Sequence, residues 1–183
     1  MHKPSVYLAE TNTDKLHSHN YGQFYDMCYF YLLGHGIAHE DIRILEIGVS
    51  LFGVGSGHAF SKMVGDRFVG VDKDALQSPL PNDGNFLQVE NAYSAETLKL
   101  LESYEPFHLI IDDGSHLPSH QIYFFRNYER FCASTSIMVC EDVQYCYWIT
   151  EKFHDLRSEN LQFFNSDTLR YGGDHNILMK IND

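Results

Sequence analysis

Positive charge is scarce in this sequence: 13 lysines and arginines stand against 25 aspartates and glutamates, a formal net charge of -12 over 183 residues. A field of that sign repels phosphate backbones and anionic lipid surfaces, which argues against a nucleic-acid or membrane partner. Long apolar runs are missing too. None approaches the roughly 18 residues of a membrane span, and the opening MHKPSVYLAETNTDKL lacks the apolar core of a signal peptide, so a cytoplasmic protein is expected. Cysteine is sparse and unpatterned. Cys28, Cys132, Cys140 and Cys146 show no CxxC spacing, which favours reduced, buried thiols over a disulfide framework or a thiolate metal site. No internal repeat or low-complexity tract divides the chain, and 44% hydrophobic content fits one globular domain. A chain of this length buries roughly 70% of the surface its unfolded form exposes.

What is present is alternation. After a polar N-terminal arm over residues 1–20, the domain proper is expected over 21–183. Residues 21–33 (YGQFYDMCYFYLL) carry apolar side chains at helical spacing and end before Gly34 and Gly36, a glycine stop. Short β-like runs follow at 43–48, 67–72, 86–90, 107–112 and 136–141, with helical patterns near 56–64, 95–104 and 118–131 and a turn at 133–136. Strand–helix alternation with short links implies right-handed crossovers and a parallel sheet covered on both faces. Beyond a helix near 147–157 and a turn-rich linker containing Gly172 and Gly173, runs at 161–164 and 176–181 sit too close for a crossover helix. They read as an antiparallel hairpin at the sheet edge. The fold class is therefore α/β, a doubly wound, mostly parallel, Rossmann-like sheet with an antiparallel C-terminal hairpin.

The run 43–48 (RILEIG) ends at Gly48 and is followed by Gly53, Gly55 and Gly57 around the start of a helix near 56–64. Glycines let a backbone turn tightly and approach a ligand without an intervening Cβ. Two acids sharpen the pattern: Glu46 near the end of the first strand and Asp72 closing the second. A carboxylate at the tip of the second strand is placed to accept hydrogen bonds from both ribose hydroxyls of an adenosyl ligand. The loop does not spell GxGxxG, and no second domain is in view for a nicotinamide substrate. S-adenosylmethionine fits better, its sulfonium needing no pyrophosphate site. The candidate cofactor-binding residues are Glu46, Gly48, Gly53, Gly55, Ser56, Asp72, Asn91 and Asp112.

The second cluster is acidic. In IIDDGSH (110–116) an apolar strand emerges into Asp112 and Asp113, with His116 three positions on, and the next strand ends in Glu141 and Asp142. Carboxylates converging on one rim repel each other and call for a cation. Oxygen ligands without cysteine point to Mg²⁺, Mn²⁺ or Ca²⁺, and Mg²⁺ keeps positions open for water or a substrate diol. His116 is the candidate base, taking a proton from a hydroxyl whose pKa the metal has lowered. His120 is expected to support or pack.

These blocks, LEIGV (45–49), FVGVDKD (68–74), IIDDGSHLPSHQIYFF (110–125) and VCEDVQYCYW (139–148), resemble the class I, metal-dependent sugar O-methyltransferases of macrolide biosynthesis and the related cephalosporin-hydroxylase-like proteins. The resemblance spans about residues 44–148. It implies that Asp113, Glu141 and Asp142 hold Mg²⁺ (or Mn²⁺), that His116 is the base, that Asp72 binds the ribose, and that Glu46 and Gly48 border the methionine part. It also implies a small-molecule or glycoside acceptor. The macrolide enzymes are about twice as long, with regions covering the substrate that have no counterpart here, so the acceptor is expected to be larger, more exposed, or enclosed by another subunit of a homo-oligomer. Two other readings stand beside O-methyl transfer to a vicinal diol: hydroxylase-like metal chemistry on the same fold, and a non-catalytic adenosyl-binding regulatory module.

Overall fold

The structure is a computed structural model that describes residues 2–11, 13–17, 19, 21–49, 55–144, 161–165 and 176–182. The expected helix at 147–157, the linker glycines 172 and 173, Cys146 and Gly53 lie outside the described residues. Strands β1 (Ile44–Ile47), β2 (Phe68–Asp72), β3 (Asn85–Gln88), β4 (Phe107–Asp112), β5 (Cys132–Cys140), β6 (Gln162–Asn165) and β7 (Asn176–Asn182) form one sheet in the order β3-β2-β1-β4-β5-β7-β6. Pairing is parallel from β3 through β5, and β7 runs antiparallel to both β5 and β6. The expected sheet and its closing hairpin are both present.

Helices α1 (Pro4–Ala9), α2 (Asp14–His17), α3 (Gly22–Gly34), α4 (Ser56–Val64), α5 (Ala95–Leu101) and α6 (Pro118–Asn127) complete the described elements of more than three residues. Side chains alternate across a strand, so each strand feeds two layers. Ile44, Phe68, Leu109, Ile111 and Val139 join Tyr25, Leu32 and Phe60 on one face. Leu45, Val69, Ile110 and Met138 join Leu98, Phe124 and Tyr128 on the other. Every residue of β1 is buried, as a parallel strand covered on both faces requires.

Local signals set the helix ends. Gly36 takes φ +86° just past α3, and Ile37 N–H returns to the Leu32 carbonyl at 3.1 Å. The Ser94 hydroxyl accepts the Thr97 N–H at the start of α5. One expectation is corrected: residues 133–136 are not a turn but part of β5, which begins at Cys132. The pairing passes from Phe107–Cys132 to Leu109–Ile137, so a bulge absorbs the extra residues and the strand continues. The first twenty residues carry two short helices. Leu8 is fully buried in the same core as Tyr25 and Leu32, and Asp26 on α3 accepts from Lys3 Nζ at 2.7 Å, Ser5 N–H at 2.8 Å and Ser5 Oγ at 2.7 Å.

Candidate functional site

The parallel strands deliver their carboxyl ends to one rim, and backbone bonds lock the turns that follow. Gly48 N–H donates to the Val71 carbonyl at 2.8 Å, Asp113 N–H to Ile47 at 3.0 Å, and Glu141 N–H to Asp112 at 2.9 Å. Gly48 takes φ +88°, and a Cβ there would lie 2.1 Å from the Asp113 carbonyl oxygen. Only glycine fits that crossing of two turns.

Above the rim lies a cavity of about 400 Å³. Gly48, Gly55 and Ser56 line one side, with Asp72 at the tip of β2 and Asn91 and Tyr93 after β3. Asp113, His116 and Asp142 line the same space, and Thr13 and Asp14 border it from the N-terminal segment.

Asp113, His116 and Asp142 each offer a ligand atom within 4.8 Å of the others. His116 Nε2 stands 4.0 Å from Asp113 Oδ1 and 3.9 Å from Asp142 Oδ2. His116 and Asp142 both adopt left-handed backbone, at φ 54° and 51°. Such conformations cost roughly 1–2 kcal/mol for a residue with a Cβ and persist where surrounding structure fixes them. Here Asp142 Oδ1 accepts from the Tyr21 hydroxyl at 2.8 Å, and His19 Nδ1 lies 3.5 Å from the same oxygen.

Beneath the cavity the charge is compensated by a residue that the sequence does not flag. Lys15 is fully buried, its Nζ 2.6 Å from Asp113 Oδ2, 2.6 Å from Glu141 Oε1 and 3.4 Å from Glu46 Oε1. Burial alone would lower the lysine pKa, but Asp113, Glu141 and Glu46 together hold it well above its ordinary value. Tyr25 also donates its hydroxyl to Glu141 Oε1. Burial, reinforced by Asp113, pushes Glu141 well up despite Lys15. Asp113 is likewise raised by burial, with Lys15 pulling it back in part.

The sequence matches no family model and no curated protein. Solved structures do match. The MycE methyltransferase from the mycinamycin biosynthetic pathway, in complex with Mg, SAH and mycinamycin VI, aligns with a TM-score of 0.71 at 19% identity over 98% of this chain. This chain spans 53% of that one, about half its length. An O-methyltransferase from Bacillus cereus in complex with SAH gives a TM-score of 0.55 and 12% identity, covering 98% of this chain and 100% of that chain. TomG, the O-methyltransferase from Streptomyces achromogenes involved in tomaymycin synthesis, in complex with SAM, gives 0.56 and 15%, covering 86% and 78%. The chain has the class I methyltransferase fold.

In this methyltransferase fold the cleft lies outside the carboxyl ends of the strands, and most of the sequence-derived candidates reach it. Gly48, Gly55, Ser56, Asp72, Asn91, Asp113, His116 and Asp142 line the cavity, while Glu46, Asp112 and Glu141 lie below it. Glu46 accepts from Ser56 Oγ at 2.6 Å, and burial, partly offset by Lys15, pushes it up to about 7. Asp112 is 2% exposed and accepts from the Tyr93 hydroxyl at 2.6 Å, with burial pushing it up to about 6. Glu141 faces Lys15 and Tyr25 rather than the cavity-lining trio. His120 also lines the cavity, stacking on Tyr93 at 4.1 Å between centroids and pairing with Ser115 Oγ at 2.6 Å. Among the described residues no helix is long and apolar enough to cross a membrane.

Proposed function

We propose that the protein is an S-adenosylmethionine-dependent O-methyltransferase acting, with a divalent cation of the Mg²⁺ type, on a hydroxyl of a sugar or another vicinal diol. The observation that carries this reading is one shared cavity: Gly48, Ser56 and Asp72 line the same space as Asp113, His116 and Asp142. Its volume of about 400 Å³ lies in the range of small-molecule sites. MycE, which shares this fold, is in complex with Mg, SAH and mycinamycin VI, which supports a methyl donor and a divalent ion as the molecules bound.

The donor set fits a hard cation. Asp113 and Asp142 present carboxylate oxygens, and Mg²⁺ commonly takes one or two carboxylates while keeping water or substrate oxygens. Asp113 and Asp142 would hold such an ion, whose charge would lower the pKa of an acceptor hydroxyl. Around it, each residue has a distinct task. Asp72 accepts hydrogen bonds from the ribose of the methyl donor, and Gly48 lets the backbone approach its methionine part. His116 Nε2, close to both carboxylates, accepts the acceptor's hydroxyl proton. The oxygen forms its bond to the methyl carbon as the carbon–sulfur bond breaks, and the sulfur leaves as a neutral thioether. Holding both reactants in one cavity supplies up to roughly 7–11 kcal/mol of the barrier reduction.

The test combines calorimetric titration with S-adenosylhomocysteine and a product-mass screen over glycosides and vicinal diols. Asp113→Asn and Asp142→Asn should cut turnover at least a hundredfold while leaving S-adenosylhomocysteine affinity within threefold. Full activity in excess chelator removes the cation from the reading. A product heavier by one oxygen rather than one methylene replaces transfer with hydroxylation, and binding without turnover on any acceptor leaves a regulatory module.

A further inference from the structure

The carboxylate cluster has two halves, and one side chain belongs to both. Asp113 directs Oδ2 inward to Lys15 at 2.6 Å and Oδ1 outward, 4.0 Å from His116 Nε2. The inner half is closed: Lys15 is inaccessible and the Glu141 side chain is only 1% exposed. An ammonium has three donors, and Asp113, Glu141 and Glu46 supply three acceptors around it. Glu141 spends Oε1 on Lys15 and Tyr25 together. Its Oε2 and Glu46 Oε2 are buried without a hydrogen-bond partner among the described residues, which deepens the negative potential around the lysine. For Glu141 to turn to an ion beside Asp142 it would have to abandon both donors in a space closed to water, leaving Lys15 with a missing partner.

We propose that Lys15 is the resident cation of the inner half of this cluster, with Glu141 serving it rather than a divalent ion, so that the divalent ion of the reading above is confined to the outer half beside Asp113 and Asp142. Lys15 is then a counter-ion that competes with a second cation: it neutralises the inner oxygens of Asp113 and Glu141 and ties the segment bearing Thr13 and Asp14 to the rim of the cavity. The inference rests on the proposed function for the presence of a divalent ion, and on the geometry alone for the role of the lysine.

Mn²⁺ titration of the full chain, read by calorimetry or by loss of the free-ion paramagnetic signal, tests it without any acceptor. Glu141→Gln should keep Mn²⁺ affinity within fivefold of wild type, whereas Asp142→Asn should weaken it more than tenfold. Lys15→Met should tighten Mn²⁺ binding at least tenfold or add a second ion, and Lys15→Arg, which keeps the charge, should return it to the wild-type value. A more than fivefold loss in Glu141→Gln makes Glu141 a metal ligand and overturns the proposal, a result that stands even if Lys15→Met fails to fold. Weaker binding in Lys15→Met overturns it as well. If only Lys15→Met binds Mn²⁺, the lysine assignment holds and the divalent reading falls; if neither it nor wild type binds, both fall. S-adenosylhomocysteine titration, run in parallel, reports separately on the methyl-transfer reading.

Discussion

Gly48 and Asp113 meet backbone to backbone at the centre of the rim: a Cβ on Gly48 would lie 2.1 Å from the Asp113 carbonyl oxygen and 2.7 Å from its carbonyl carbon. The contact couples the glycine turn beside the cofactor side of the cavity to the acid-bearing turn on its other side. Gly48→Ala therefore faces a collision with backbone and a φ of +88° that a side chain rarely adopts. A loss of about 3 kcal/mol or more is expected, since strain and overpacking combine. Gly34→Ala is the control: nothing lies within 4 Å of a Cβ there, so it should be neutral or stabilising by up to about 1 kcal/mol. Urea unfolding of both variants checks the contrast.

Asp112→Asn separates a structural carboxylate from a ligand-binding one. Burial raises Asp112 to about 6 in the folded chain, against roughly 3.9 unfolded. A carboxyl group raised by folding favours the folded state below its unfolded pKa, and that contribution is lost as pH climbs through about 6. The amide keeps an acceptor for Tyr93 and the Gly114 N–H but never ionises. The variant should gain about 1–3 kcal/mol over wild type at pH 8 and match it or fall below it at pH 4. Its S-adenosylhomocysteine affinity should stay within threefold; a loss exceeding tenfold would put the Asp112 side chain in the ligand site.

Asp26 behaves in the opposite sense. Burial raises its pKa, but the bonds from Lys3 and Ser5 outweigh it and hold the carboxyl below the usual value. The stabilisation is present above the unfolded pKa and disappears as pH falls through the folded one. Asp26→Ala should cost about 2–3 kcal/mol at pH 7, because three bonds to one buried carboxylate are lost together. Below about pH 3 the difference from wild type should shrink. Thermal unfolding across that range reads the sign directly.

Much of this architecture was legible because parallel strands announce themselves as apolar runs that stop at acids. FVGVD and FHLIID each end at the residue where the strand ends. The site is less legible, for a reason contained in strand geometry. Adjacent residues leaving a strand point to opposite faces, so two neighbouring acids seldom serve one ion. Asp112 turns to Tyr93 while Asp113 turns to Lys15, and Glu141 goes inward while Asp142 borders the cavity. Lys15 itself had no local signature. It lies in a polar stretch, and its partners Asp113 and Glu141 are 98 and 126 positions away. Only the tertiary fold turns it from a surface-type residue into a buried counter-ion.

Tyr93→Phe tests how far that burial extends under the cavity floor. The Tyr93 hydroxyl donates to Asp112 Oδ1 at 2.6 Å and accepts the Ser115 N–H at 3.3 Å, while its ring stacks on His120. Phenylalanine keeps the stacking surface and removes the donor. At pH 8, where Asp112 is ionised, a buried carboxylate then loses its shortest hydrogen bond, and a cost of about 1–3 kcal/mol is expected. At pH 5 the carboxyl is mostly protonated, the lost donor matters less, and the cost should fall. In the Asp112→Asn background Tyr93→Phe should cost less at pH 8 than it does in wild type, because the charge that needs the hydroxyl is already gone. Additivity at both pH values would mean that the tyrosine acts through Ser115 and His120 instead, making it a support of the His116 turn rather than of the buried carboxylate.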